Sequence, residues 1–322
     1  MSLVTRCVVG VLAALGATCV AAFNSGSTGA DGVLNPTAPT EIQLPESGVL
    51  NYASINVPTG VTVKFRRNAL NTPVTLLVAG DALIAGTIDV SGKSGAPSFG
   101  AGDGNVADDG LPGEGGPGAF GGGMGGRIDV VATAASLRIP QAGIGPGGGR
   151  PLMTSLDSFH CTGASGSFGT VGSSDCSPTS STYGTPDLLP LIGGSGGAGG
   201  IGSSTTGGSG GGGGGGALLL AVTGRLTISG TIRADGGRGG DVGHAQGVAG
   251  TPGGGGSGGA LRLVATILEG NGALSVAGVT SGSFTGGQMR TTGGTGRLRL
   301  EAETCTRPSC PSNLPGPIFV AG

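Results

Sequence analysis

Residues 218–236 read LLLAVTGRLTISGTIRADG, and their alternation decides the fold. From Leu218, every second residue is aliphatic, Ala or Gly: Leu218, Leu220, Val222, Gly224, Leu226, Ile228, Gly230, Ile232, Ala234. The intervening row turns polar: Thr223, Arg225, Thr227, Ser229, Thr231, Arg233, Asp235. A strict period of two is the mark of a strand with one buried face. Glycines in the inward row, six residues apart, mark bends or places where another backbone comes close.

The same pattern occurs earlier. Residues 74–92, VTLLVAGDALIAGTIDVSG, align with 218–236 without gaps. Leu76, Val78, Gly80, Ile84, Gly86, Thr87, Ile88 and Gly92 match Leu220, Val222, Gly224, Ile228, Gly230, Thr231, Ile232 and Gly236. All but the threonines belong to the inward row. The match resumes between GGGMGGRIDVVAT (121–133) and GGGSGGALRLVAT (254–266). A smaller unit, Gly then Arg or Ala then an alternating aliphatic pair, begins at Gly126, Gly216, Gly259 and Gly296. Units that repeat with this variation stack on one another to bury a shared core. The expectation is an all-β chain forming a parallel β-solenoid of either hand. An antiparallel β-sandwich would give the same alternation and is the rival.

The chain has 322 residues, of which 76 are Gly, and aromatics make up only 3%. Glycine costs roughly 0.5–1 kcal/mol relative to Ala inside regular elements. So much of it means either linkers or a fold whose backbones approach too closely for a Cβ. Aliphatic residues are plentiful and charge is low, which argues against disorder. The net charge of −2, with Arg66-Arg67 the only adjacent basic pair, leaves no positive stripe for nucleic acid.

The N-terminus, MSLVTRCVVGVLAALGATCVAAF, has a basic residue at Arg6, an apolar run over Val8–Val20 and small residues at Ala21-Ala22. This reads as a secretory signal peptide over 1–22, too short for a dedicated membrane span, with the processed chain starting near Phe23. A lipid anchor at Cys19 is the alternative. No transmembrane segment is expected after removal of the signal. The expected location is secreted or at the cell surface. Cys161, Cys176, Cys305 and Cys310 remain, an even number that suits two disulfides in an exported chain. Three pairings are open, and the local one, Cys161–Cys176 with Cys305–Cys310, is the simplest.

The glycine tracts at 113–126, 193–202, 207–216 and 251–259 precede or separate aliphatic strands. They read either as flexible linkers or as polyproline-II helices, which repeat every three residues and lack internal hydrogen bonds. Their position against strand starts favours ordered packing, with 203–216 the stretch most prone to flexibility. The organisation expected is a signal (1–22), an N-terminal extension (23–46), a first solenoid unit with its cap (47–149), a disulfide-pinned insertion loop (150–192), a glycine tract (193–216), a second unit (217–303) and a disulfide tail (304–322). The insertion loop is the leading candidate for a recognition surface.

Residues 47–92, SGVLNYASINVPTGVTVKFRRNALNTPVTLLVAGDALIAGTIDVSG, resemble glycine-rich exported bacterial proteins with β-solenoid cores. The glycine tracts resemble the polyproline-II bundles of phage tail-fibre adhesins. The resemblance implies a structural or adhesive surface protein with a glycan or protein partner, and it carries over no ligand residue.

A carbohydrate-active protein, binding, lysing or hydrolysing polysaccharide on the solenoid, is the alternative function. Glycoside hydrolysis needs two flanking carboxylates. The outward acids Asp89, Asp129 and Asp235 are the candidates; the alignment sets Asp89 against Arg233 and Asp235 against Ser91. His160 and His244 have no nucleophile motif beside them. Calcium is the one cofactor considered: Asp103, Asn105, Asp108, Asp109 and Glu114 gather oxygen ligands in a glycine-rich loop. Asp241, in a single partial match to a calcium-binding nonapeptide, is a weaker candidate. An ice-binding face would need aligned threonines; Thr87 and Thr231 align, but charged residues flank them. The expectation is a chain without catalytic activity.

Overall fold

The computed structural model describes residues 23–98, 110–126, 139–151, 161–176, 178–202, 207–243, 250–285, 291–308 and 310. The described residues form thirteen strands and no helix: β1 (Val33–Leu34), β2 (Thr40–Gln43), β3 (Val49–Tyr52), β4 (Ser54–Val57), β5 (Thr62–Arg66), β6 (Val74–Val78), β7 (Ala82–Ile84), β8 (Thr87–Asp89), β9 (Ala217–Ile228), β10 (Thr231–Arg233), β11 (Ala260–Glu269), β12 (Ala273–Ser275) and β13 (Arg297–Cys305). An eight-stranded sheet has the order β1-β4-β7-β9-β11-β13, with β3 beside β6 and β6 beside β9. A five-stranded sheet has the order β12-β10-β8-β5-β2. The chain visits the large sheet, then the small one, and returns one strand further along. Residues 23–46, taken from sequence as an extension, supply β1 and β2 to this stack.

Every strand ladder is parallel. The antiparallel sandwich is therefore not the arrangement. Antiparallel neighbours need hairpins, whereas here the chain passes through the second sheet before re-entering the first in the same direction. The pairs aligned in the sequence are ladder partners. Leu76 lies beside Leu220 and Val78 beside Val222, Ile84 beside Ile228, and Ile88 beside Ile232. Three of the four shorter repeats are neighbours too, since Leu218, Leu261 and Leu298 stand in one rank and Leu220, Leu263 and Leu300 in the next. These inward side chains form one core between the sheets, and Leu76, Ile84, Ile88, Leu220, Ile228 and Ile232 are fully buried. Each such side chain contributes roughly 1.5–3 kcal/mol by leaving water.

The corners explain the inward glycines. Gly86 donates to Val57 O, Gly230 to Ile84 O and Gly272 to Ile228 O, each at 2.8 Å. A Cβ on Gly86 would overlap Pro58 O, one on Gly230 would overlap Gly86 O, and one on Gly272 would overlap Gly230 O. The corner is a column of backbones with no room for side chains.

The glycine tracts are a second packed region. Segment 207–216 lies at its centre. Gly210, Gly213 and Gly216 donate to Ala96, Lys93 and Val90; Gly208, Gly211 and Gly214 donate to Gly126, Gly123 and Phe120; Ser209, Gly212 and Gly215 donate to Thr251, Gly254 and Ser257. In return it accepts from 113 and 116, from 194, 197 and 200, and from 237 and 240. Donors recur every three residues on three sides, six neighbouring segments are engaged, and none of these bonds is internal. The expected flexibility of 203–216 does not hold for 207–216; residues 203–206 lie outside the described residues. The linker reading fails there because every backbone group needs a partner once buried, and neighbouring tracts supply it.

Within the expected insertion loop 150–192, the described stretch 161–169 packs inside the molecule. Cys161–Phe168 are buried, and Gly163, Gly166 and Gly169 donate to Pro252, Gly255 and Thr295. This part of the segment is another member of the glycine array. Its three-residue glycine spacing and the small side chains of Ala164, Ser165 and Ser167 let it fit, while Phe168 turns into a separate apolar cluster. Phe168 and Tyr183, ring centroids 4.7 Å apart, anchor a small second core with Leu188, Ala217 and Ala260.

Candidate functional site

The small sheet presents its polar row to solvent. Register places Lys64, Asp89 and Arg233 side by side on β5, β8 and β10. Parallel in-register pairing thus turns three separate sequence positions into an alternating charge rank. Asp89 Oδ2 is 2.8 Å from Arg233 and 3.7 Å from Lys64. Burial pushes the Asp89 carboxyl up, but the Arg233 guanidinium and the Ser91 contacts more than offset it, so its pKa lies below the ordinary aspartate value. Glu41 and Arg66 pair at 2.7 Å on the neighbouring strands β2 and β5.

Where the small sheet passes into the glycine segments, two hollows lie side by side. One, of about 620 Å³, is lined by Glu41, Arg66, Arg67, Lys93 and Glu114 among others. The second, of about 500 Å³, includes Lys64, Asp89, Ser91, Arg233 and Asp235. Asp89 and Asp235 therefore do meet around one hollow, as a hydrolase would require. Their partners point elsewhere. Asp235 accepts from Ser275 Oγ and from Ala277 N, and its own N–H donates to Ser91 Oγ at 3.1 Å. Asp89 is held as an anion, so in a glycosidase pair it could serve only as base or nucleophile and not as the proton donor, which needs a raised pKa. What remains is a cleft of alternating fixed charges.

The calcium candidates divide. Asp103, Asn105, Asp108 and Asp109 lie outside the described residues, as do Asp129, His160, His244 and Cys19. Glu114 is turned to Lys93 at 2.6 Å, and that ammonium lowers its pKa. Asp241 is enclosed by donors: Arg238 at 2.7 Å, and the N–H and hydroxyl of Ser283 at 2.7 and 2.9 Å. Those donors occupy the oxygen atoms that a cation would need. Cys161 and Cys176 have Cα atoms 5.8 Å apart, and Cys305 and Cys310 6.2 Å apart, each pair at disulfide-bonding distance. Asp175 sits beside the first pair but accepts from Thr162 N and Oγ1.

Sequence reasoning missed the outer face of the large sheet. There Leu77, Leu219, Ala221 and Val264 floor an apolar groove of about 820 Å³, with Phe23 at one wall. Arg262 and Arg299 both bond Glu301 Oε1 at 2.7 Å along its side. Burial raises the Glu301 pKa, the two arginines lower it, and the arginines prevail. The polar-row positions held by Leu77, Leu219 and Val264 were the available signal, since an aliphatic residue on the outward parity needs cover.

No family model, no curated protein and no solved structure matches the chain. No helix among the described residues is long and apolar enough to cross a membrane.

Proposed function

We propose that this chain is an exported structural or adhesive protein, without catalytic activity, built as a β-solenoid that carries a bundle of polyproline-II segments. The observation that carries the reading is segment 207–216, bonded through its backbone to six neighbours with a three-residue repeat. A lattice of this kind is stiff because each segment is held on several sides, almost wholly by main-chain contacts. Stiffness serves a scaffold that displays a surface. The two disulfide-distance pairs suit an oxidising, extracellular setting, and residues 1–22 read as the signal that would deliver the chain there. The likeness of the glycine tracts to tail-fibre adhesins points the same way.

A carbohydrate ligand is the second reading, favoured by the charge-lined cleft holding Asp89 and Asp235. Asp89, kept ionised by Arg233, could not serve there as the proton donor of a hydrolytic pair. The test is a glycan array run beside turnover assays on acidic polysaccharides. The scaffold reading expects no new reducing ends and no unsaturated uronate product. Appearance of either, abolished by Asp89→Asn, overturns it in favour of an enzyme.

A further inference from the structure

Residues 23–31 run across the outer face of the large sheet, transverse to its strands. Phe23 N donates to Glu303 Oε1 on β13 at 2.6 Å. Ser25 N donates to Thr223 Oγ1 on β9 at 3.1 Å, and Ser25 Oγ donates to Val78 O on β6 at 2.8 Å. Ser27 Oγ donates to Tyr52 O on β3 at 2.9 Å. Asp31 closes the run, its N–H donating to Asn51 O at 2.8 Å and its Oδ2 accepting from Asn51 N. Odd positions from 23 to 29 are half-buried and even positions exposed, as in a strand laid flat on a surface. Strand spacings of about 4.8 Å put β13 and β3 on the order of 19 Å apart. Four extended residues, plus the reach of Glu303 and Ser27, are just enough. The segment is a strap that ties the last strand of the stack to one of the first.

One end of the strap is held differently from the rest. Ser25 and Ser27 bond to backbone carbonyls and a hydroxyl, but Phe23 offers its backbone nitrogen to a carboxylate. As an amide, that nitrogen carries one hydrogen and no charge. As a chain terminus it carries three hydrogens and, with an ordinary α-amino pKa near 8, a positive charge at neutral pH. Val20-Ala21-Ala22, directly before it, reads as a small-residue cleavage site of the A-x-A-like kind, with Ala22 next to the cut.

We propose that hydrolysis of the Ala22–Phe23 peptide bond creates an α-ammonium that Glu303 captures, so that export processing itself fastens the strap. Water, with a peptidase of the signal-peptidase class, breaks the C–N bond. The carboxylate leaves with Ala22, and the amine stays on Phe23 and takes up a proton. A hydrogen bond from a neutral amide to a carboxylate becomes an ion pair in which both partners are charged and the donor has more than one hydrogen to offer. The inference rests on reading residues 1–22 as a signal. It adds to that reading a carboxylate, Glu303, that recognises the product.

The experiment has two stages. The full chain is first produced in an exporting host, and the N-terminus of the secreted product is sequenced; Phe23 is expected as the first residue. A product that keeps residues 1–22, or begins at a lipidated Cys19, overturns the signal reading and the proposal together. Next, chains beginning at Phe23 and at Ala21 are compared, each with Glu303 and with Glu303→Gln. Deuterium uptake over residues 23–31 and acylation of the terminal amine are followed at neutral pH. In the Phe23 chain, uptake and acylation should be slower by roughly two- to fivefold, the range for an exposed ion pair. Glu303→Gln should remove that difference, with a smaller effect on the Ala21 chain, whose neutral Phe23 amide loses only a charged acceptor. Glu303 is exposed, so the variant is not expected to disturb folding; the melting temperature checks this. If the secreted chain begins at Phe23 but Glu303→Gln changes neither rate, the signal reading stands and the capture is overturned.

Discussion

The two packed regions solve the same problem with opposite materials. Between the sheets, parallel layers are joined by side chains: Leu76, Leu220, Leu263 and Leu300 form one continuous rank. In the glycine array, layers are joined mainly by backbone, as where Gly211 donates to Gly123 and accepts from Gly113, with a few serine and threonine hydroxyls such as Ser257 on Ser195 O adding to it. The first region is stabilised by apolar area removed from water. The second removes little apolar area and depends on hydrogen bonds that each contribute about 1 kcal/mol net and cost more when left unmade. A side-chain core can shift by rotamer changes. A backbone lattice has no soft part to move, so it should be the less forgiving of the two.

The sharpest way to break that comparison is to add one methyl group to the lattice. A Cβ at Gly211 would overlap Gly197 O, and the surrounding atoms are all main chain. Gly211→Ala should destabilise the fold by about 4 kcal/mol or more, the range reserved for exceptional substitutions, read as lost expression of folded protein or a collapsed urea midpoint. A variant melting within a few degrees of the parent would show that the array can open, and that the stiffness argued for the scaffold is absent. The opposite change in the side-chain core should cost less. Ile228→Ala removes three carbons from a fully buried position and should cost roughly 2–5 kcal/mol by transfer and cavity terms. If deleting three carbons proves costlier than adding one, the lattice is the softer region.

How legible these regions were follows from the same contrast. Side-chain ranks leave a trace in sequence, because a core position must be apolar at the right parity. That is why Leu76 and Leu220, or Ile88 and Ile232, could be set against each other before any coordinates. It is also why Asp89 could be placed opposite Arg233. The glycine array leaves no such trace. Gly194, Gly212 and Gly254 are interchangeable letters, and their partners are chosen by backbone position. Hence composition alone makes 203–216 the most flexible stretch and 150–192 a surface insertion, whereas 207–216 and 161–169 are bonded into the array. The triplet Gly163, Gly166, Gly169 did carry a signal, but it was outweighed by the nearby cysteines and prolines. The charged cleft and the strap were hidden for another reason. Both depend on residues brought together across strands, such as Glu41 with Lys93, or Phe23 with Glu303, and no local motif records such pairs.

The Cys161–Cys176 pair joins the comparison from a third side, since it ties into the lattice a segment that backbone bonds also hold. Replacing both cysteines by serine should cost about 3 kcal/mol if the closed loop of 15 residues acts through chain entropy. A much smaller loss would mean that bonds such as Gly166 to Gly255 already hold the segment. A reducing agent applied to the unmutated chain should lower the melting temperature in the same sense, and mass spectrometry of the alkylated protein would confirm which thiols are released.

The smallest effect expected lies at the rank of charges, where side chains couple layers on the solvent face. The Asp89 carboxyl titrates below its ordinary value of 3.8 in the folded protein. A group with a depressed folded pKa contributes stability that is fully present above the unfolded value and disappears as pH falls through the folded one. Stability should therefore be flat with respect to Asp89 above about pH 5 and decline below pH 4. Asp89→Asn should lower stability by about 1.5–3 kcal/mol at pH 7, the range for a hydrogen bond to a charged group, and should flatten the acid limb of a melting-temperature profile. Arg233→Met in the Asp89→Asn background then isolates the pair: coupling near zero would reduce the rank to ornament on a core held by Ile88 and Ile232. Coupling of about 1 kcal/mol would make charge alternation across β5, β8 and β10 a third joint between layers, weaker than either leucine ranks or glycine contacts but the one that pH can release.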